Sequence, residues 1–186
     1  MKVIPTYLQD LVVLEPEITL TKYGYFLESF STKEFNEKVT PINFVQDNES
    51  CSMKGVARGL HFQKPPYAQS KLIKCVKGKV LDIVLDLRSY SSTYGKMLTV
   101  ELSEENHRAL FIPKGFAHGF IVMSDNTITQ YKCDEFYHPE CEGGVNIFEP
   151  DLNILSQLKI DPSTLIISEK DKALPFLKNF HTPFFS

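Results

Sequence analysis

Three polar side chains interrupt text that otherwise reads as apolar strand. His61 lies in the run Val56-Ala-Arg-Gly-Leu-His61-Phe-Gln63, His118 in Pro113-Lys-Gly-Phe-Ala-His118-Gly-Phe120, and Tyr131 in Ile128-Thr-Gln-Tyr131-Lys132. An imidazole, with an unperturbed pKa of about 6.5, accepts a proton at neutral pH, while a phenol of pKa about 10 stays protonated until asked to donate. Placed on two sides of a carbon next to a carbonyl, such a base and acid can take a proton from one face and return one to the other. Singly, each residue has a plainer reading. A strand histidine or tyrosine is usually a core residue with its polar atoms bonded. Lys71 and Lys74 in a strand read most simply as solvated or edge charges. Chemistry therefore depends on which elements bring these groups together.

Those elements read as β. The runs 71–76 and 80–87 are β-rich and flank the turn-prone Lys77-Gly78-Lys79; in the second, Leu81, Ile83, Leu85 and Leu87 share one face and Asp82 and Asp86 the other. Further strands are expected at 97–102, 108–112, 117–123 and 127–133, broken by turn text such as Pro113-Lys-Gly115 and Ser124-Asp-Asn126. Helical pattern is confined to 32–37 and 168–177. Short strands at this spacing predict an all-β sandwich or barrel. If Asp125-Asn126 form a two-residue hairpin loop, Phe120 pairs with Tyr131, and His118 lies diagonal to Tyr131 on the same face.

The 186 residues, 42% hydrophobic and 23% charged, suit a single domain spanning 1–186 with no repeat or linker. A net charge of −3 argues against nucleic acid as a partner, and no apolar run reaches membrane-spanning length. Pro5 and Asp10 interrupt any signal-like stretch, and the cysteines 51, 75, 133 and 141 form no C-x-x-C pair, so reduced thiols and a cytoplasmic location are expected. Pro113-x-Gly115-x-x-His118 resembles half of a metal-binding cupin signature. The other half reads His61-Phe62-Gln63, without a second histidine or a carboxylate, so no catalytic metal is expected.

Longer strings are more specific. Phe44-Val-Gln-Asp-Asn-Glu-Ser50, Gly55-Val-Ala-Arg-Gly-Leu-His-Phe-Gln63 and Pro113-Lys-Gly-Phe-Ala-His-Gly-Phe120 resemble the dTDP-4-dehydrorhamnose 3,5-epimerase family. The resemblance continues through Asp86-Leu-Arg88, Ser92-Thr-Tyr-Gly95, Tyr131-Lys132, Tyr137-His-Pro139, Pro150-Asp-Leu152 and Ile167-Ser-Glu-Lys-Asp171. It implies a cupin jelly-roll barrel with a few short peripheral helices, a homodimer, no metal or diffusible cofactor, and a dTDP-linked 4-keto-6-deoxy sugar as substrate. It further implies His61 as general base, Asp171 as the carboxylate orienting it, Tyr131 as general acid and Lys71 as the cation at the sugar's keto oxygen. Arg58, Gln46, Asn48, His118, Phe26 and Glu28 match substrate-lining positions, and Tyr137 an aromatic that stacks on the nucleotide base. The logic is consistent: a 4-keto group acidifies the C–H bonds at carbons 3 and 5, and an ammonium stabilises the enolate oxygen.

One position departs from the pattern. The family carries Asp-x-Arg-Gly-x-Phe near the N-terminus, its arginine holding the diphosphate; here the text is Thr21-Lys-Tyr-Gly-Tyr-Phe26, with Tyr23 in the arginine's place. Lys22 keeps a charge nearby but not a bidentate fork. Rival readings are a single-site epimerase, a sugar-nucleotide 3,4-ketoisomerase, a non-catalytic sugar-nucleotide-binding cupin and, more distantly, a metal-dependent cupin oxygenase.

Overall fold

The computed structural model describes residues 1–149 and 152–185; Pro150 and Asp151 of the string noted above, with Ser186, lie outside the described residues. The strands in chain order are β1 (Lys2–Pro5), β2 (Val12–Glu15), β3 (Ile18–Thr21), β4 (Gly24–Leu27), β5 (Gln46–Ser52), β6 (Ala57–Gln63), β7 (Lys71–Lys77), β8 (Lys79–Asp86), β9 (Met97–Ser103), β10 (Ala109–Ile112), β11 (Phe116–Val122), β12 (Thr127–Cys133) and β13 (Glu142–Gly144). Helices α1 (Thr32–Lys38), α2 (Ile154–Gln157) and α3 (Glu169–Lys172) are short.

Two antiparallel sheets face each other, one of six strands in the order β1-β2-β10-β7-β12-β5 and one of five in the order β13-β6-β11-β8-β9. This is the expected all-β jelly roll. Strand alternation sorts the apolar residues into three layers. Between the sheets lie Ile73 and Leu110 from the first and Val84, Phe116, Phe120 and Val122 from the second. Behind the five-stranded sheet, Leu60, Phe62, Ile83 and Leu85 are covered by residues of the C-terminal segment, including Val145, Ile154 and Phe184. Behind the six-stranded sheet, Leu72 and Phe111 are covered by Phe35 of α1. That helix forms where Ser31 caps the Glu34 N–H and the Lys38 ammonium meets the Glu34 carboxylate at 2.6 Å.

The expected 117–123/127–133 hairpin is not formed. β11 pairs with β6 and β8, whereas β12 pairs with β5 and β7, so the turn at 124–126 carries the chain from one sheet to the other. The turn itself is tight, with the Ser124 and Thr127 hydroxyls 2.9 Å apart and Asn126 at φ 52°. Its local chemistry is that of a hairpin, but both flanking strands find longer-range partners. His118 and Tyr131 accordingly meet across the space between sheets, not along one surface.

Two further readings change. β7 lies between β10 and β12, so Lys71 and Lys74 are not edge charges; Lys71 shares the inner face with Ile73, and Lys74 the outer face with Leu72. The face of β8 that carries Asp82 and Asp86 is enclosed as well, both aspartates being fully buried. The helix expected over 168–177 covers only Glu169–Lys172, since Pro175 follows too soon to let it continue.

Candidate active site

The site opens between the two sheets as two connected lobes of about 130 and 110 Å³ that share His61, Lys71 and Tyr131. Each sheet supplies one wall. On the six-stranded side, Gln46, Cys133 and Lys71 lie in one cross-strand row and Asn48 and Tyr131 in the next. On the five-stranded side, His61 and His118 are register partners, and Arg58 pairs with Phe120. Simple alternation would send Arg58 and His61, three residues apart, to opposite faces. A register shift between β6 and β11 falls between these two pairs, and both side chains therefore enter the same lobe. Gly59 and Gly119 meet at this shift: a Cβ on Gly119 would lie 2.3 Å from the Arg58 carbonyl oxygen.

His61 is the partly exposed member of a tight pair. Its Nε2 lies 2.8 Å from Oδ1 of Asp171, whose other oxygen accepts the Gly59 N–H at 3.0 Å. Asp171 is delivered from far along the chain by α3, where Ser168 caps the Asp171 N–H at 3.1 Å. With Nε2–H donating to the carboxylate, the other ring nitrogen carries the lone pair. Burial in the opposite wall depresses the Lys71 ammonium below the ordinary lysine range. Its Nζ stands 5.9 Å from the centre of the Tyr131 ring. Burial also pushes the Tyr131 phenol up, so it stays protonated, and pushes the Cys133 thiol up to about 11, leaving it an inert lining group. Gln46 donates to Asn48 Oδ1 at 3.0 Å and accepts the Tyr137 N–H at 3.0 Å, and Arg58 reaches Ser52 Oγ at 3.5 Å.

Nine of the sequence-expected residues are thus brought to the lobes or their rim: His61, Asp171, Lys71, Tyr131, Arg58, Gln46, Asn48, His118 and Tyr137. Phe26 and Glu28 are not. They line a separate concavity of about 590 Å³ between β4 and the outer face of the six-stranded sheet, with Lys74 and His107. His107 there stacks on Tyr25 with ring centres 4.7 Å apart, but among the described residues no carboxylate holds its ring as Asp171 holds His61, so size does not mark the chemistry. Tyr23 is 87% exposed at the tip of the β3–β4 hairpin, with the Lys22 ammonium 4.8 Å from its ring centre.

Two groups escape sequence reading. Asp82, from β8, places Oδ2 3.0 Å from His118 Nε2 deep under the lobe. Burial pushes its carboxyl up, against the pull of His118 and Lys71, and Oδ1 is a buried oxygen with no hydrogen-bond partner. The interruption of an apolar strand by an aspartate was its one available signal. Glu142 of β13 accepts the Tyr137 hydroxyl at 2.8 Å and the Lys170 ammonium at 2.6 Å. Burial pushes the Glu142 carboxyl up, and the bonds from Lys170 and Tyr137 outweigh it and hold the group below the usual range. Nothing in the residues around Glu142 distinguishes it from a loop charge. Among the described residues no cluster of three or more His, Cys, Asp or Glu is placed to hold a metal ion.

The family model for dTDP-4-dehydrorhamnose 3,5-epimerase matches residues 5–179. The epimerase of that name from Methanothermobacter thermautotrophicus is 47% identical over 169 residues, 91% of this chain and 90% of the relative. The crystal structure of the Elizabethkingia anophelis 3,5-epimerase superposes with a TM-score of 0.90 at 45% identity, covering 96% of this chain and 97% of that one. The Legionella pneumophila enzyme, solved in complex with dTDP-4-keto-L-rhamnose, gives 0.89 at 40% identity, covering 98% and 96%. With identities of 40–47% sustained over both partners' lengths, the chain belongs to the dTDP-4-dehydrorhamnose 3,5-epimerase family.

Proposed function

We propose that the protein is a 3,5-epimerase converting dTDP-4-dehydro-6-deoxy-D-glucose to dTDP-4-dehydro-L-rhamnose. The observation that carries this reading is the placement of His61 and Tyr131 on opposing sheets around one cavity, with Lys71 beside Tyr131. His61, held by Asp171, takes the proton from the carbon next to the keto group, and the electron pair moves onto the keto oxygen. The Lys71 ammonium stabilises the enolate formed there. Tyr131 then donates its proton to the opposite face of the same carbon and is reprotonated from solvent, while His61 releases its proton to solvent. The same pair acts at carbons 3 and 5, since both adjoin the 4-keto group.

We further assign Phe26 and Glu28 to the nucleotide end of a neighbouring copy's site. The β3–β4 hairpin pairs with neither main sheet, and Leu20, Tyr23 and Phe26 on it are 82%, 87% and 70% exposed. A two-stranded hairpin of this kind needs a surface to rest on. A homodimer supplies one and completes a site whose two lobes hold a sugar but not its nucleotide. No helix among the described residues is long and apolar enough to cross a membrane, and the four cysteines are free thiols.

The test is NMR of the purified protein with dTDP-4-keto-6-deoxyglucose in D₂O, without a reductase. Deuterium should enter at both carbons 3 and 5. Entry at one carbon would mark a single-site epimerase, and entry at neither, with nucleotide bound, a binding protein. Tyr131→Phe should retain exchange while losing net inversion.

A further inference from the structure

Gln63 ends β6 two residues beyond His61 and is 4% exposed. Its carboxamide is used at both ends. Oε1 accepts the His138 N–H at 2.8 Å, while Nε2 donates to the Phe136 carbonyl at 3.0 Å and to the Tyr67 carbonyl. Phe136 and His138 are the two neighbours of Tyr137, so one buried amide grips the backbone on either side of that aromatic. The grip matters because residues 134–138 belong to no strand or helix and have no ladder of their own. Across the β6–β13 ladder, Gln63 pairs with Glu142, which takes the Tyr137 hydroxyl. The base and the residue that grips the rim aromatic thus sit on one strand: His61 projects its ring into the cavity, and Gln63 sets where the rim stands.

We infer that Gln63 is a positioning residue for Tyr137, fixing the ring at the mouth of the site before the nucleotide arrives. This rests on the reading that Tyr137 stacks on the nucleotide base. Pre-set contacts bind more tightly because less freedom is lost on association. The role needs a carboxamide, since only that group both accepts from His138 and donates to Phe136. Glutamate keeps the first bond and loses the others, and leucine loses all of them.

The experiment is calorimetric titration of dTDP, with steady-state kinetics, on Gln63→Leu, Gln63→Glu, Tyr137→Ala and the Gln63→Leu/Tyr137→Ala double variant. Gln63→Leu should weaken dTDP about tenfold, or 1.4 kcal/mol, with the loss falling mainly on KM and less on kcat. Inorganic pyrophosphate, which has no base to stack, should bind this variant as it binds the wild type. The double variant should bind dTDP no worse than Tyr137→Ala. If the leucine variant does not fold, Gln63→Glu carries the test, with an expected loss of about threefold. Unchanged dTDP affinity in the Gln63 variants, beside a weakened Tyr137→Ala, would overturn the inference and leave the stacking role standing. Unchanged affinity in Tyr137→Ala would remove the stacking role itself. Additive losses, or equal losses for pyrophosphate and dTDP, would show Gln63 to be a structural residue only.

Discussion

Two histidine–aspartate pairs stand next to each other, since His61 on β6 and His118 on β11 are register partners. The His61 ring is 28% exposed and its aspartate 6%; the His118 ring is 8% exposed and its aspartate fully buried. Both oxygens of Asp171 are bonded, one to the ring and one to the Gly59 N–H. Asp82 bonds through one oxygen and leaves the other bare, and burial pushes its carboxyl up. A carboxylate bonded on both sides holds its histidine in one orientation. One that is half satisfied in an apolar layer holds its charge at a cost. The first pair has the access and support of a proton carrier. The second is buried beneath the lobe and sets the field around Lys71, since Asp82 and Lys71 perturb each other.

The sharpest way to break that contrast is to remove each histidine. His61→Ala should lower deuterium exchange at both carbons on the order of 10³-fold, whereas His118→Ala should cost far less; rates by NMR in the reverse order would invert the assignment. Next in size is Asp171→Asn, expected to slow exchange on the order of 10²-fold with little change in melting temperature. Asp82→Asn should act the opposite way, with a smaller loss of rate and a gain in stability. The sign follows from the raised carboxyl. Its proton favours the folded state, so the folded protein loses stability as pH climbs from the ordinary value of 3.8 through the raised one, and asparagine removes that loss. Thermal melts of both proteins between pH 4 and 8 would show it as a flatter profile for the variant. The smallest effect concerns Lys71, which burial lowers and Asp82 raises. The alkaline limb of kcat/KM should lie below the ordinary lysine value of 10.5 and move lower still in Asp82→Asn. In Lys71→Arg that limb should move up, since guanidinium keeps its proton and the raised Tyr131 phenol becomes the group that titrates.

Much of this arrangement was legible in the residues. The strands at 71–76, 97–102 and 127–133 are found within a residue of their expected ends, because an inner apolar face imposes alternation. β5 gave no such sign. Gln46-Asp-Asn-Glu-Ser-Cys-Ser52 is polar on both faces, since its inward residues Gln46 and Asn48 line a polar cavity and not a core. Partner choice was equally hidden. The 124–126 turn has hairpin chemistry, and only the long-range pairing of β11 with β6 and β8 overrides it. Arg58 and His61 share a lobe through a register shift that no periodicity displays. The residues that line the lobes came through the longer strings, whereas the places of Asp82, Glu142 and Gln63 are defined by what they touch and no string displays them.

The span between His61 and Asp171, 110 positions, has a consequence for synthesis of the chain. Ribosomes release domains from the N-terminal side onward, so the walls bearing His61, Lys71 and Tyr131 are made well before α3 exists. At that stage the outer face of the five-stranded sheet also lacks the C-terminal residues that cover it, and the His61 imidazole has no carboxylate to hold it. The last stretch of translation therefore closes the core behind the five-stranded sheet and completes the His61–Asp171 pair in one event.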